Sequence, residues 1–281
     1  MKQFKRINMG KSLLIILFLS SIIANSQSFE TIWATDRVLK TPESVFYNQQ
    51  RNEIYVSNIN GNPTDKDGNG FISLLDTTGN ITALKWISGF DAPKGMAVLH
   101  DTLIVTDIDK VHIISISQAK ITQTIEVEGA SFLNDAVLLD DGTAFITDMV
   151  VENIIMIKDG KAMVWLTDEL LVKPNGLALM KNSLAVGVKN DILKVDTASK
   201  AVKSFIEETG PVDGIIYLGG NKFVISDWAG RITWVSPSEK IVLSNSTDSN
   251  IQAADLGYIT DKKWVLVPTF FDNRVIAAQL P

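Results

Sequence analysis

Six segments of the chain repeat one pattern at a spacing of roughly 40 residues, and this repeat constrains the fold more than any other feature. Each segment begins with a polar residue, continues as an apolar run, turns tightly, and ends in a second apolar run that often finishes in Ser or Thr followed by Asp. The initial polar residues are Glu43, Lys94, Asn134, Asn175, Asp213 and Asp255. A period of about 40–45 residues with about four strands per unit is that of a β-propeller blade.

The two ends of the chain predict how the ring closes. The residues after Asp255 are too few for a complete blade, and "FETIWAT" near the N-terminus reads as one additional strand. We therefore predict an all-β domain over residues 27–281, folded as a six-bladed β-propeller. In this prediction the N-terminal strand completes the last blade, which leaves no open sheet edge.

Residues 1–26 have the pattern of a secretory signal peptide. Four basic residues precede the apolar run Leu13 to Ile23, and the small-residue sequence "ANS" follows it. The run is shorter than the roughly 20 residues that span a bilayer, although an uncleaved anchor is the alternative. We expect export to the periplasm or the medium, with no membrane association after cleavage.

Charge and cysteine content narrow the classes of partner. Signal removal would change the net charge from −6 to −10, because the segment carries four basic and no acidic residues. An acidic chain without a basic cluster argues against nucleic acid or anionic lipid as a partner. The absence of cysteine excludes disulfides. We expect a monomer that acts on a small molecule.

The stretch "DKDGNGFISLLD", Asp65 to Asp76, nearly matches the calcium loop of an EF-hand. An EF-hand requires a helix on each side, whereas "EIYVSN" before this stretch and "FISLLD" within it read as strands. We predict an inter-strand turn rich in residues that tolerate left-handed backbone geometry. A minor cation site within that turn is the alternative.

The initial polar residues of the repeats are the candidate site. If they begin the innermost strands, they ring one mouth of the central channel, and all except Lys94 supply oxygen ligands. Oxygen ligands without His or Cys suit Ca²⁺ or Mg²⁺. The other interpretation is that these residues bond neighbouring blades or channel water.

The segments "PESVFY", "FLNDAVLLDDGTAFITD", "KPNGLAL" and "PVDGIIY" resemble the SMP-30/gluconolactonase/LRE-like family of six-bladed propellers, over about Phe29 to Pro281. The resemblance implies a divalent cation, preferably Ca²⁺, held by Glu43, Asn175 and Asp213. It also implies that Asn134 lies beside the cation and contacts it or the substrate. Asp213 would be the general base, and the substrates would be small lactones or related cyclic esters.

Two residues depart from the family pattern. Phe132 stands where lactonases of this family carry an arginine, which favours a more apolar ester than a sugar lactone. Lys94 is unexpected at its position: it offsets the carboxylates when metal is absent, contacts an acidic ligand, or points to solvent. The alternative function is a non-catalytic exported propeller that binds a ligand at the channel mouth and keeps any cation for stability.

Other chemistry-bearing side chains are assigned structural roles. Asp107, Asp148 and Asp227, at the ends of second strands, are expected to cap turns or bond adjacent blades, and support of the metal ligands from behind is the alternative. Trp228, with Phe270 and Phe271, is expected in core or inter-blade packing, with a pocket wall as the alternative.

Overall fold

The computed structural model describes Met1 and residues 29–281, so the predicted signal peptide lies almost wholly outside the described residues. Residues 29–281 form six antiparallel sheets of four strands each. The first strands of the sheets contact one another in sequence order: β2 contacts β6 and β22, and β10 contacts β6 and β14. The predicted all-β fold with six blades is confirmed.

The strands follow the repeats. After β1 (Thr31–Ala34), blades 1 to 3 contain β2 (Pro42–Asn48), β3 (Glu53–Asn58), β4 (Gly70–Asp76), β5 (Ile81–Phe90), β6 (Pro93–Leu99), β7 (Thr102–Asp107), β8 (Lys110–Ser115), β9 (Lys120–Glu126), β10 (Leu133–Leu138), β11 (Ala144–Asp148), β12 (Asn153–Lys158) and β13 (Lys161–Thr167). Blades 4 to 6 contain β14 (Leu177–Met180), β15 (Ser183–Gly187), β16 (Ile192–Asp196), β17 (Val202–Ile206), β18 (Ile215–Gly219), β19 (Lys222–Asp227), β20 (Arg231–Ser236), β21 (Glu239–Asn245), β22 (Gly257–Ile259), β23 (Trp264–Pro268) and β24 (Val275–Gln279). Two 3₁₀ turns, Thr247–Ser249 and Phe270–Asp272, are the only helical elements of the described part.

The N-terminal strand closes the ring as predicted. The sixth sheet has the order β1-β24-β23-β22, and β1 pairs antiparallel with β24 through Thr31 with Ala278 and Ala34 with Ile276. The first and last segments of the domain therefore share one sheet, in which β1 covers the outer edge of β24.

The core lies between the blades because each sheet buries apolar side chains against its neighbours. Phe145 of blade 3, for example, packs in one cluster with Leu184 and Val186 of blade 4. Within residues 29–281, no helix is long and apolar enough to cross a membrane.

Hydroxyl side chains join successive blades close to the channel. Thr147 Oγ1 of β11 donates to the backbone oxygen of Asn175 in the next blade (2.7 Å), and Ser226 Oγ of β19 donates to that of Ala254 (2.8 Å). The innermost strands also approach closely at Gly176, where an added Cβ would lie 2.5 Å from the backbone oxygen of Asp213. These contacts fix the starts of the inner strands against one another.

The EF-hand-like stretch is an inter-strand turn followed by a strand. Residues from Gly70 to Asp76 form β4, and Asp76 pairs with Glu53 of β3. The Asp76 carboxylate accepts hydrogen bonds from the backbone N–H of Thr78 (2.8 Å) and of Asn80 (3.0 Å), so it caps the next turn. The EF-hand is excluded, and the predicted turn is confirmed.

Candidate functional site

A cavity of about 980 Å³ opens where the innermost strands begin, and we call it the mouth cavity. The five residues predicted from the first five repeats all line it: Glu43, Lys94, Asn134, Asn175 and Asp213. Phe132 lines it as well. The structure therefore brings together the three predicted metal ligands, the predicted general base and the three predicted substrate-contacting residues.

Four of these side chains have a buried oxygen atom without a hydrogen-bond partner among the described residues. The atoms are Glu43 Oε2, Asn134 Oδ1, Asn175 Oδ1 and Asp213 Oδ1. A buried acceptor left unpaired costs about 1–3 kcal/mol, so these four oxygens require partners from outside the chain, such as water or a cation.

The donor set fits a hard divalent cation. Carboxylate and amide oxygens are the ligands that Ca²⁺ prefers, and Mg²⁺ also binds oxygen. Residues 29–281 contain no group of three or more His, Cys, Asp or Glu side chains able to hold a metal ion. A site here therefore depends on amide oxygens in addition to the carboxylates of Glu43 and Asp213.

Burial makes the two carboxylates of this set weak acids in the absence of a cation. Burial, followed by the negative charge of Asp213, raises the pKa of Glu43 well above its usual range. Burial, followed by the charge of Asp255, raises the pKa of Asp213 to about 8. A bound divalent cation would reverse both shifts, because it stabilises the ionised forms.

The sixth repeat does not place Asp255 in this ring, so the prediction for that residue is wrong. The backbone N–H of Asp213 donates to Ser226 O (2.8 Å), and the equivalent bond in blade 6 runs from Ala254 to Pro268 O (3.1 Å). Ala254 is therefore the sixth ring residue, and Asp255 lies one position further on. Because side chains alternate along a strand, this single step turns Asp255 away from the mouth cavity.

Asp255 instead faces Asp135 inside the channel, and we call these two residues the channel pair. They belong to blades 6 and 3, which stand opposite each other, and both line a second cavity of about 390 Å³. Asp255 accepts a hydrogen bond from Ser44 Oγ (2.6 Å), and Asp135 accepts one from the backbone N–H of Leu177 (2.6 Å). Burial raises the pKa of Asp255 to about 7. Asp135 follows the ring residue Asn134 directly, and the sequence reasoning did not single it out.

Lys94 lies inside the mouth cavity and not in solvent. Its side chain is buried, with 1% exposed, and its Nζ donates to the backbone oxygen of Ala92 (2.9 Å). The same Nζ lies 4.5 Å from the centre of the Phe132 ring. Burial lowers the pKa of Lys94 to about 8, against the opposing charge of Glu43. Of the three roles expected for Lys94, orientation toward solvent is excluded.

Second-strand Asn and Asp side chains hold the segments that lead into the ring. In blades 1 to 3 this side chain accepts a hydrogen bond from the backbone N–H of the residue three positions before the ring residue. The donors and acceptors are Lys40 N–H and Asn58 (2.9 Å), Asp91 N–H and Asp107 (2.8 Å), and Ser131 N–H and Asp148 (2.8 Å). Asp227 instead accepts the N–H of Gly230 (3.1 Å) within its own turn. The predicted capping roles are confirmed.

An aromatic cluster forms one wall of the mouth cavity, and only Phe270 within it also has the expected core packing, beside Ile59 and Ala254. Trp228, Phe270 and Phe271 meet edge to face, with ring centres 4.8–6.1 Å apart. Trp228 is 45% exposed and Phe271 is 59% exposed, whereas Phe270 is buried. The sequence predicts a pocket wall only as the alternative, because these residues follow second strands. No periodic pattern there indicates which way their side chains point.

The other walls come from loops that the sequence reasoning passed over. Asn62 and Pro63 of the loop between β3 and β4 line the cavity, as do Lys173 and Lys189 of blade 4. The loop between β3 and β4 is fastened to blade 2, where the N–H of Gly68 donates to Asp91 Oδ1 (3.0 Å).

Solved structures similar to this chain share its fold at low sequence identity. One is described as a streptogramin B lyase, with 13% identity, a TM-score of 0.62, and coverage of 86% of this chain and 94% of that chain. Another is described as a catalytically inactive His-to-Ala variant of virginiamycin B lyase from Staphylococcus aureus with quinupristin. It has 14% identity and a TM-score of 0.59, and the match covers 86% of this chain and 95% of that chain. A third is the WD40 β-propeller domain of Doa1, with 12% identity, a TM-score of 0.62, and coverage of 85% and 78%.

Sequence comparison adds no family assignment: no protein-family model matches the chain and no curated protein matches it. The resemblance to the SMP-30/gluconolactonase/LRE-like family therefore stays a prediction from the motifs. At 12–14% identity, the structural likeness shows that the chain is a β-propeller.

Proposed function

We propose that this protein is a divalent-metal-dependent hydrolase of small lactones or related cyclic esters, with Ca²⁺ as the preferred ion and Mg²⁺ as the alternative. Glu43, Asn175 and Asp213 would hold the ion, and Asn134 would lie beside it. The observation that carries the proposal is a set of four buried oxygens that have no hydrogen-bond partner among the described residues and belong to side chains lining one cavity.

The residues of the cavity divide the chemistry between them. A cation bound there would polarise the ester carbonyl and lower the pKa of a coordinated water. Asp213 would orient the attacking water and accept its proton as the general base. Asn134 also carries an amide N–H₂ group, which can donate to the carbonyl oxygen as negative charge develops on it. Phe132 excludes water beside that oxygen, which strengthens these electrostatic interactions.

The substrate class follows from the walls and from the motif resemblance. A phenyl ring at position 132 cannot donate to the hydroxyls of a sugar lactone, and the aromatic cluster offers an apolar surface. The structural neighbours include a lyase in which replacement of a histidine abolishes catalysis. No histidine is among the residues that line the mouth cavity of the described chain, so hydrolysis on a metal-held water fits this site better.

A non-catalytic binding propeller is the second candidate. Exposed aromatic side chains at a cavity rim are typical of ligand-binding surfaces, and Lys94 can compensate Glu43 without any metal. In either case we propose export after removal of residues 1–26, and a monomeric protein.

The test is acid release from a panel of lactones of increasing apolar size, each with and without a carboxylate substituent, followed with a pH indicator. Wild type, Glu43→Gln and the control Asp141→Asn, which alters an exposed hairpin carboxylate, are assayed with calcium and with EDTA. We expect calcium-dependent turnover in wild type and in the control, and a loss of at least a hundredfold in Glu43→Gln. No turnover on any lactone, together with calcium-dependent stabilisation, would favour the binding propeller.

A further inference from the structure

Lys94 is a buried cation that uses little of its hydrogen-bonding capacity. An ammonium group has three donors, and among the described residues Nζ bonds only to the backbone oxygen of Ala92. The described chain gives Lys94 no ion pair, although Glu43 is near enough to oppose the shift in its pKa. Burial without full hydrogen bonding is costly for a cation, so the unused donors point to a ligand.

Metal binding would offset the charge of Glu43, which is the larger of the two negative charges that compensate Lys94. The mouth cavity holds the carboxylates of Glu43 and Asp213, and a divalent cation offsets both. Among the described residues Lys94 would then be compensated by Asp107, whose carboxylate already accepts hydrogen bonds from the backbone N–H groups of Asp91 and Ala92. Lys173 and Lys189 on the wall from blade 4 add positive charge in the same cavity. The loaded cavity is therefore cationic although the whole chain is acidic.

Apolar side chains line the mouth cavity beside Lys94 and its polar neighbours. Its Nζ lies over the Phe132 ring, and Met149 lines the cavity in the same blade as Phe132. Trp228 and Phe271 form the wall of blades 5 and 6, and both side chains are exposed. A ligand that fills this volume needs a bulky apolar body in addition to any charged group.

We propose that the cation-loaded cavity selects ligands that join a carboxylate to an aromatic or other bulky apolar body, and that Lys94 pairs with the carboxylate. This inference rests on the proposed metal site and specifies its substrate class. Lys94 is then a specificity-determining residue, and the apolar body packs against the wall formed by Trp228 and Phe271.

The test uses two matched probes, 1-naphthylacetate and 1-naphthylacetamide, which share one ring system and differ in charge. Binding is measured by calorimetry in calcium and in EDTA, for wild type, Lys94→Met, Lys94→Arg and Phe271→Ala. Lys120→Met, an exposed change on the outer strand β9, is the control. Calcium is also titrated alone into each variant.

We expect wild type in calcium to bind the acid roughly ten- to a hundredfold more tightly than the amide, which is the range for a charged hydrogen bond. Lys94→Met should abolish the preference for the acid and leave the affinity for the amide unchanged. Lys94→Arg, which keeps the positive charge, should retain the preference. Phe271→Ala should weaken both probes equally. Lys94→Met should also bind calcium more tightly, since it removes a positive charge beside the cation.

Two outcomes separate this inference from the metal proposal. If calcium binds wild type but acid and amide bind equally, or if Lys94→Met keeps the preference, the role of Lys94 is wrong and the metal site stands. If calcium alone does not bind, the metal site is wrong and this inference falls with it.

Discussion

The change Asp213→Asn should lower the Tm relative to wild type in calcium, but should not lower it in EDTA at high pH. Calcium at 100 times its Kd stabilises a native protein by about 2.7 kcal/mol. For a chain of this size that is a rise of roughly 5–10 °C in Tm. Asparagine keeps the shape of the side chain but loses the charge. If calcium then binds about a hundredfold more weakly, about 0.4 kcal/mol remains, or roughly 1 °C.

The opposite order is expected without metal at high pH. The pKa of Asp213 is raised from 3.8 to about 8 by burial and by Asp255, so the folded state binds this proton more tightly than the unfolded state. The resulting stabilisation is present at low pH and is lost as pH rises through about 8. Asparagine cannot ionise, so in EDTA at pH 9 the variant should equal or exceed wild type in Tm.

Thermal unfolding followed by circular dichroism in EDTA and in calcium, at pH 6 and pH 9, measures both effects. Asp141→Asn serves as the control, because this carboxylate is exposed on the hairpin of blade 3 and should not respond to calcium. An equal loss of Tm in EDTA and in calcium would refute the reasoning, since it would make Asp213 a structural side chain.

Three further outcomes are expected. Calcium affinity, measured by calorimetry, should rise with pH by up to about tenfold per pH unit for each proton released on binding. The rise should end above about pH 8, where Asp213 is already ionised. A Kd that does not change with pH would contradict the raised pKa of Asp213. The double change Asp65→Ala with Asp67→Ala should leave turnover nearly intact, because these side chains sit in an exposed turn; loss of turnover would mean that the turn acts in the site. Gly176→Ala should lower the free energy of unfolding in urea by about 2 kcal/mol or more, because its Cβ would lie 2.5 Å from a backbone oxygen. Gly61→Ala, with no atom nearer than 3.9 Å, should change it by less than about 0.5 kcal/mol, and equal effects would count against the close-approach argument.

The fold could be predicted because each blade repeats the same local signals. The strand–turn–strand pattern recurs six times, and the strand at Thr31–Ala34 supplies the element that the last unit lacks. Strand alternation and turn residues are local properties, so they can be read without knowledge of distant contacts.

The mouth ring could be predicted in five blades and not in the sixth. Along each inner strand, the ring side chain faces the mouth cavity and the next side chain faces the other way. An error of one residue in register therefore assigns the wrong residue to the ring. In "AADLGYI" the aspartate matches the pattern of "PVDGIIY", but the bond from Ala254 N–H to Pro268 O sets the register one residue earlier. The channel pair of Asp135 and Asp255 was missed for the same reason.

The cavity walls could not be predicted because they come from loops. Trp228 and Phe271 follow second strands, and their orientation depends on contacts between blades 5 and 6. The burial of Lys94 likewise depends on Phe132 of the next blade, which is far from it in sequence. Neither placement has a periodic signal in the sequence.

The most direct test of the metal site is a crystal structure of residues 27–281 grown with millimolar calcium. We predict one calcium ion in the mouth cavity, about 2.3–2.6 Å from oxygens of Glu43, Asn175 and Asp213. This prediction would be contradicted by a mouth cavity in which Lys94 Nζ pairs with Glu43 and no calcium binds, or by calcium bound only at the channel pair.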